Sequence, residues 1–228
     1  MMPFPFQLGG VGSDFVDNDI YFNNVSLLLH FDGANSSTTF TDSSENSKTL
    51  TANGNAQIST AQSKFGGASG LFDGSGDEVS FANSSDFAFS GDFTIEAFVY
   101  IVVSDTTDRN IYITANNGGL SFGLNGKKLQ VGANNVAYDV KTSADIATSQ
   151  WVHVAASRSG TTLRLFVNGT QDGSATITRT YTSSGSHYIG SGGSLNYFNG
   201  YIDELRITKG VARYTANFTP PAYPYSNV

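Results

Sequence analysis

No window of this 228-residue chain sustains a 3.6-residue apolar period for three turns, because Gly, Ser, Thr and Asn interrupt each one. A chain barred from long helices must bury its apolar residues from strands. The longest strand pattern runs from Phe93 to Ile101. Phe93, Ile95, Ala97, Val99 and Ile101 share one face, and the other face carries Thr94, Glu96, Phe98 and Tyr100. Apolar residues on both faces predict a central strand covered on both sides, as in a stack of two sheets.

Shorter runs surround it. Val25–Phe31 leads into Asp32-Gly33, and Ala68–Phe72 leads into Asp73-Gly74 and then Glu78–Phe81. Trp151–Arg158 and Leu163–Val167 are separated by Ser159-Gly160. Asn168-Gly169 then supplies a two-residue hairpin turn, since both residues accept positive φ. His187–Gly190 and Tyr201–Thr208 complete the pattern, which amounts to on the order of 12 to 14 strands of ordinary length. A short turn is expected at Val211–Tyr214. The predicted fold is all-β: a two-sheet antiparallel β-sandwich of the jelly-roll type over residues 27–219. An extended arm (1–26) precedes it and a short tail (220–228) follows. In the arm, Pro3 and Pro5 alternate with Phe4 and Phe6 before Leu8 and a glycine cluster, so apolar side chains stand on an extended backbone.

Composition narrows the function classes. Seventeen Phe and eleven Tyr supply a large apolar interior, whereas only 14% of residues are charged, against roughly 25% in ordinary domains. The net charge of −7 and the thin spread of 12 basic residues leave no concentrated positive face for nucleic acid. The absence of cysteine excludes disulfides and thiolate metal sites. The N-terminus lacks the basic and apolar regions of a secretory signal. No run approaches the ~20 apolar residues that cross a bilayer, so no membrane partner is expected.

Four segments together resemble the laminin-G-like, concanavalin-A-like domain family, and they do so in the family's order. They are Leu71–Asp77 (LFDGSGD) with Gly91–Val99 (GDFTIEAFV); Trp151–Ala155 (WVHVA); Leu163–Gly169 (LRLFVNG); and Phe198–Ile207 (FNGYIDELRI). The ending Thr208–Tyr214 (TKGVARY) with Asn217–Pro221 (NFTPP) is similar to the version of this domain found in bacteriophage virion proteins. That resemblance implies a non-enzymatic structural protein of the virion, assembled in the host cytoplasm. Its place would be a capsid decoration, head fibre or tail component. The apolar arm residues Phe4, Phe6 and Leu8 would either pack back on their own domain or anchor the chain to a neighbouring subunit of the particle. Its partners would be other virion proteins, a host-surface glycan and further copies of itself in a homo-oligomer. The alternatives are a secreted, extracellular bacterial carbohydrate-binding module and, behind it, a glycoside hydrolase.

Hydrolysis of a glycoside needs two carboxyl groups about 5–9.5 Å apart. On a strand, such a pair stands two residues apart. Glu96 has no such partner, and the adjacent pairs Asp77-Glu78 and Asp203-Glu204 would point to opposite faces of a regular strand. His30, His153 and His187 lie in strand-like runs away from any nucleophile motif. No catalytic residue and no cofactor are therefore expected, with structural Ca²⁺ the one candidate ion. The resemblance places an ion at the sandwich rim, at positions matching Asp32 and Asp203; Asp73 and Asp77 form a second candidate pair. Asp in Asp-Gly turns also bonds its own backbone, which is the competing reading. For sugars, Tyr112, Tyr138, Tyr181, Tyr197 and Tyr201 lie in or beside loops where a ring can stack on a ligand.

Overall fold

The computed structural model describes residues 18–103 and 105–228. The arm residues Phe4, Phe6 and Leu8 lie outside them. Fifteen strands are present among the described residues: β1 (Val25–Leu29), β2 (Thr51–Asn53), β3 (Gln57–Ser59), β4 (Ser69–Asp73), β5 (Glu78–Phe81), β6 (Phe93–Ile101), β7 (Arg109–Thr114) and β8 (Leu120–Asn125) in the first part. They are followed by β9 (Lys128–Ala133), β10 (Ala137–Lys141), β11 (Trp151–Ser159), β12 (Thr162–Val167), β13 (Thr170–Thr176), β14 (His187–Ile189) and β15 (Asn199–Lys209). The only helical turns described are 3₁₀ pieces at Phe22–Asn24 and Ser85–Phe87. Val211–Tyr214 forms no helical turn and continues as irregular chain.

The strands form two antiparallel sheets. The back sheet runs β13-β12-β11-β6-β15-β4-β3, with β1 also paired to β15. The front sheet runs β10-β9-β8-β7-β14-β5-β2. Between them lies one core, filled from alternate positions. Phe93, Ile95, Ala97, Val99 and Ile101 of β6 face it, as do Val152, Val154, Leu163 and Leu165 of its neighbours. Leu120, Phe122, Leu129 and Val131 meet them from the front sheet. Losing one of these Phe side chains costs about 3–5 kcal/mol, because the cavity closes only partly.

His187 belongs to this core. It stacks on Phe81 at 4.7 Å, and its Nδ1 lies 2.9 Å from the Tyr112 hydroxyl. Burial, helped by the Lys48 charge, pushes its pKa down to about 4, so the ring is neutral at pH 7.

The hairpin at Asn168-Gly169 has φ of 48° and 75°, the paired positive values its sequence predicts. A side chain at Gly169 would stand 1.9 Å from the Phe218 carbonyl oxygen. The C-terminal segment therefore packs directly on this turn, and Phe218 N donates to Gly169 O at 2.9 Å.

β15 shows how one long strand serves two neighbours. Its first residues pair with β4 and its last with β1, both on the side away from β6. The change of partner falls at a bulge, where the register against β6 shifts between Asp203 and Arg206 and Glu204 takes φ 52°.

Candidate functional site

The outward face of the back sheet is covered by the chain's own ends. Glu96 on β6, His153 on β11 and Arg206 on β15 point away from the core, yet Glu96 and His153 are fully buried. Arg206 donates from Nε and Nη2 to Glu96 Oε1 at 3.0 and 2.8 Å, and from Nη1 to Asp19 Oδ2 at 3.0 Å. Arg213 closes the set with two bonds to Asp19, at 2.9 and 2.7 Å. Two carboxylates are thus balanced by two guanidinium groups. Tyr214 donates to Glu96 Oε2 at 2.7 Å, and the Arg206 guanidinium lies 3.8 Å from the Tyr225 ring centre. Burial alone would raise the Glu96 carboxyl, but the Arg206 charge and the bonds from His153 and Tyr214 hold it well below the carboxylate range. A carboxylate sealed and neutralised in this way has no route to a substrate.

Apolar packing holds the cover down. Tyr214 and Phe218 stack at 3.5 Å with nearly parallel rings, and Phe218 meets His153 and Phe166 edge-on. Phe22, Val25, Leu28 and Tyr225 form a separate small cluster. Residues 19–22 and 220–228, at the inner end of the predicted arm and in the predicted tail, both contribute to the cover. Asp19 N donates to Val228 O at 2.8 Å, which brings the two ends of the described chain together on this face.

At the β15 bulge, the expectation that Asp203 and Glu204 diverge is corrected. The extra residue turns both carboxylates to the same outward face. Asp203 Oδ2 accepts from Lys64 N at 2.8 Å and Phe65 N at 3.2 Å, while Oδ1 is buried and has no partner among the described residues. Glu204 accepts from His30 Nδ1 at 2.8 Å and from Tyr225 N at 3.0 Å. Burial pushes the Asp203 pKa up to about 7; the two backbone bonds offset this in part, and the charges of Glu204 and Asp32 add to it. Burial would lower His30, but the Glu204 bond and charge raise it instead.

Asp32 and Asp203 are therefore brought together beside the Ser63–Gly67 turn, where a Cβ on Gly66 would strike the Asp32 carboxylate. No group of three side-chain metal ligands occurs among the described residues. Two carboxylates, one with an orphaned buried oxygen, fit a hard cation that takes its other ligands from backbone carbonyls and water. Such an ion would neutralise Asp32 and Asp203. Asp73 and Asp77 behave differently. Asp77 accepts from Asn55 N and Asp73 N, and Asp73 from Ser75 N, so these carboxylates fasten their own turns.

On the outward face of the front sheet, nothing among the described residues covers the end formed by β8, β9 and β10. Tyr138, Gly132 and Ser121 stand in register across β10, β9 and β8. Gly132 lines a shallow dip between them, and the backbone of β10 occupies the space its side chain would take. A Cβ there would lie 2.2 Å from the Tyr138 Cα, because β10 bulges toward it. Gln130, on the next outward position of β9, also lines the dip, and Asn135 and Asn196 stand at its ends in left-handed conformations, φ 57° and 53°. Asn tolerates that backbone as few residues do, and unlike glycine it also supplies an amide. The resulting groove holds about 290 Å³ and carries no charged lining residue.

Of the five tyrosines singled out in the sequence, Tyr138 reaches this groove and is 53% exposed. Tyr112 and Tyr181 are buried, with hydroxyls given to the His187 cluster and to Asp139. Tyr201 packs edge-on against Tyr100 on the back sheet, and Tyr197 gives its backbone carbonyl to Arg109. Gln130, Asn135 and Asn196 escaped the sequence reading, since amides in Gly-rich loops carry no distinguishing pattern. The alternation of Lys128–Ala133 was the one available signal.

Fold and faces together define a two-sheet β-sandwich domain with one face sealed by the chain's own ends and one left uncovered at β8–β10 among the described residues. The sequence profile of the concanavalin A-like lectin/glucanase superfamily matches residues 73–213, and the chain belongs to that family. No curated protein sequence matches it. Among solved structures, domain 4 of AbnA, a GH43 extracellular arabinanase from Geobacillus stearothermophilus, in complex with arabinotriose, is similar with a TM-score of 0.63. Its identity is 21%, over 83% of this chain and 94% of that one. The binding domain of Paraclostridial Mosquitocidal Protein 1 (TM-score 0.62, 18% identity) matches over 83% of this chain and 49% of its own length. The binding domain of botulinum neurotoxin DC, in complex with SialylT, gives the same TM-score, identity and coverage. This chain thus spans about half the length of the toxin domains, and at such identities the likeness is one of fold.

Proposed function

We propose that this chain is a non-enzymatic attachment module of a bacteriophage virion, carried as a capsid decoration, head fibre or tail component, with its front sheet turned toward the host surface. The observation that carries this reading is the meeting of Asp19 and Val228 on the back sheet. Asp19 and Val228 thus lie on the face opposite the front sheet, which supports attachment through the back-sheet side. The virion assignment draws on the resemblance of the Thr208–Pro221 ending to phage particle proteins, and the non-enzymatic one on the sealing of Glu96. In this reading Phe4, Phe6 and Leu8 bind a neighbouring virion protein, and copies of the chain assemble around a particle axis.

Deletion of residues 1–17, which leaves Asp19 and Phe22 in place, is expected to yield a folded domain that no longer joins particles. Mass spectrometry of purified particles reads the outcome, and undiminished incorporation of the shortened chain refutes the anchoring role. A second reading, a secreted bacterial carbohydrate-binding module, is favoured by the match over nearly the whole of an arabinanase domain solved with arabinotriose. It predicts the chain in culture medium and none in particles.

A further inference from the structure

We propose that Arg164, on the outward face of the back sheet, is the centre of a binding site for an oxyanion, a carboxylate or phosphate group. The inference goes beyond the attachment reading and does not depend on it. The chain has six arginines, and five of them are already engaged. Arg109, Arg179, Arg206 and Arg213 pair with carboxylates, and Arg158 donates to the carbonyls of Gly160 and Arg179. Arg164 has neither an ion pair nor a hydrogen bond among the described residues.

Strand alternation leaves it in that state. Leu163 and Leu165 enter the core, so Thr162, Arg164 and Phe166 of β12 face outward. A cross-strand carboxylate is the ordinary partner for an arginine so placed. Here Ser157 of β11 and Ser174 of β13 hold the two facing positions. Asp172, two residues before Ser174, is committed elsewhere. It accepts from Ser143 N and Oγ and from Ala144 N, at 2.9, 2.6 and 3.0 Å.

The guanidinium is set for a planar acceptor. Its Nη1 is enclosed without a partner, which leaves the Nε–Nη2 edge as the fork for a ligand, and a carboxylate or phosphate takes two parallel bonds from such an edge. Around it stand Thr162, Gln171, Ser174, Thr215 and Asn217, all neutral. The hydroxyls of Thr162, Ser174 and Thr215 make no hydrogen bond within the described chain, so each can donate to a remaining oxygen of the anion. Gln171 N donates to Asn217 Oδ1 at 2.9 Å, which fixes that amide and leaves its nitrogen as a further donor. No carboxylate lines the cleft, so its local charge is positive although the chain as a whole carries −7. A cation with one enclosed, unbonded nitrogen keeps an unmet demand for negative charge.

The test titrates the full chain with sodium phosphate, with glutarate and with an acetylated, amidated triglutamate peptide, at constant ionic strength in chloride. NMR follows the backbone amides of Ser174, Thr215 and Asn217. A saturable shift of these signals is expected with at least one probe. Affinity should fall about tenfold or more in Arg164→Lys, which keeps the charge and loses the fork, and binding should vanish in Arg164→Gln at an unchanged Tm. Should Arg164→Gln fail to fold, the Lys variant decides alone. No saturable shift with any probe, binding in Arg164→Gln equal to the parent, or undiminished binding in Arg164→Lys each overturns the site. Phosphate saturating at lower concentration than the peptide supports a free oxyanion as the occupant, and the reverse order supports an acidic side chain of a partner protein. Presence of the chain in particles is read separately, so a failed cleft and a failed virion assignment are told apart.

Discussion

The two outward faces of this sandwich use the same strand alternation to opposite ends. On the back sheet, outward positions of β6, β11 and β15 carry Glu96, His153 and Arg206, and the chain ends close over them. On the front sheet, outward positions of β8, β9 and β10 carry Ser121, Gln130, Gly132 and Tyr138, and nothing in the described chain covers the groove they form. Charges are tolerable on the first face because they are paired and sealed as a set. The groove lining of the second carries none. The contrast shows that the same strand alternation can seal its outward polar groups under the chain's own ends or leave them uncovered among the described residues.

Breaking the sealed face should have the largest effect. Arg206→Ala leaves Glu96 buried without its cation and Asp19 short of one, and a loss of about 3–5 kcal/mol is expected in urea unfolding. A loss below about 1 kcal/mol would show that the covered face is not a set.

The bulge at Asp203-Glu204 sharpens the comparison through pH. The folded pKa of Asp203 is raised to about 7 and that of His30 is raised above its ordinary value. For both groups the protonated form is favoured by folding, so their contribution is present at low pH and lost as pH rises through the folded values. Glu96 and Asp19, whose pKa values are lowered, act in the opposite sense and lose theirs only in strong acid. Protein treated with EDTA should therefore be most stable near roughly pH 4–5, and lose on the order of 3 kcal/mol by pH 8 as Asp203 ionises. Asp203→Asn should flatten that decline. Ca²⁺ should restore stability at pH 8 in the parent and not in the variant; an identical Tm with and without Ca²⁺ removes the cation from the account.

A smaller change is expected from Tyr214→Phe, which keeps the stacked ring and removes one hydrogen bond to Glu96. About 1–2 kcal/mol should be lost, and an unchanged unfolding midpoint would show that Arg206 and His153 satisfy the carboxylate without it. Smallest of all, Tyr138→Ala and Gln130→Ala on the open face should change stability by no more than about 0.5 kcal/mol. A larger loss would mean that the groove residues hold the fold rather than a ligand.

Much of the architecture was legible beforehand because alternation and turn chemistry are local. Phe93–Ile101 and Glu78–Phe81 have the ends their patterns predict, and Asn168-Gly169 forms its expected turn. Strands β7 to β10 were harder to read. Gly123 and Gly132 interrupt their alternation, and each faces a bulge in the neighbouring strand, at Asn110–Tyr112 and Tyr138–Val140. Those glycines make room for a neighbouring backbone, a reason visible only once the strands are paired. The open groove lies in this region, so it went unread with them.

The sequence by itself determined that this chain is a cysteine-free, all-β sandwich, because a two-residue period and positive-φ turns are written in neighbouring residues; the family entered through the resemblance of its motifs and not through that period. Only the tertiary structure decided which face is sealed, where Asp203 and Glu204 point, and which tyrosine meets solvent. Glu96 meets Arg206 across 110 positions and Arg213 meets Asp19 across 194. Pairings that distant depend on how the sheets stack and where the chain ends return, and no local pattern records either.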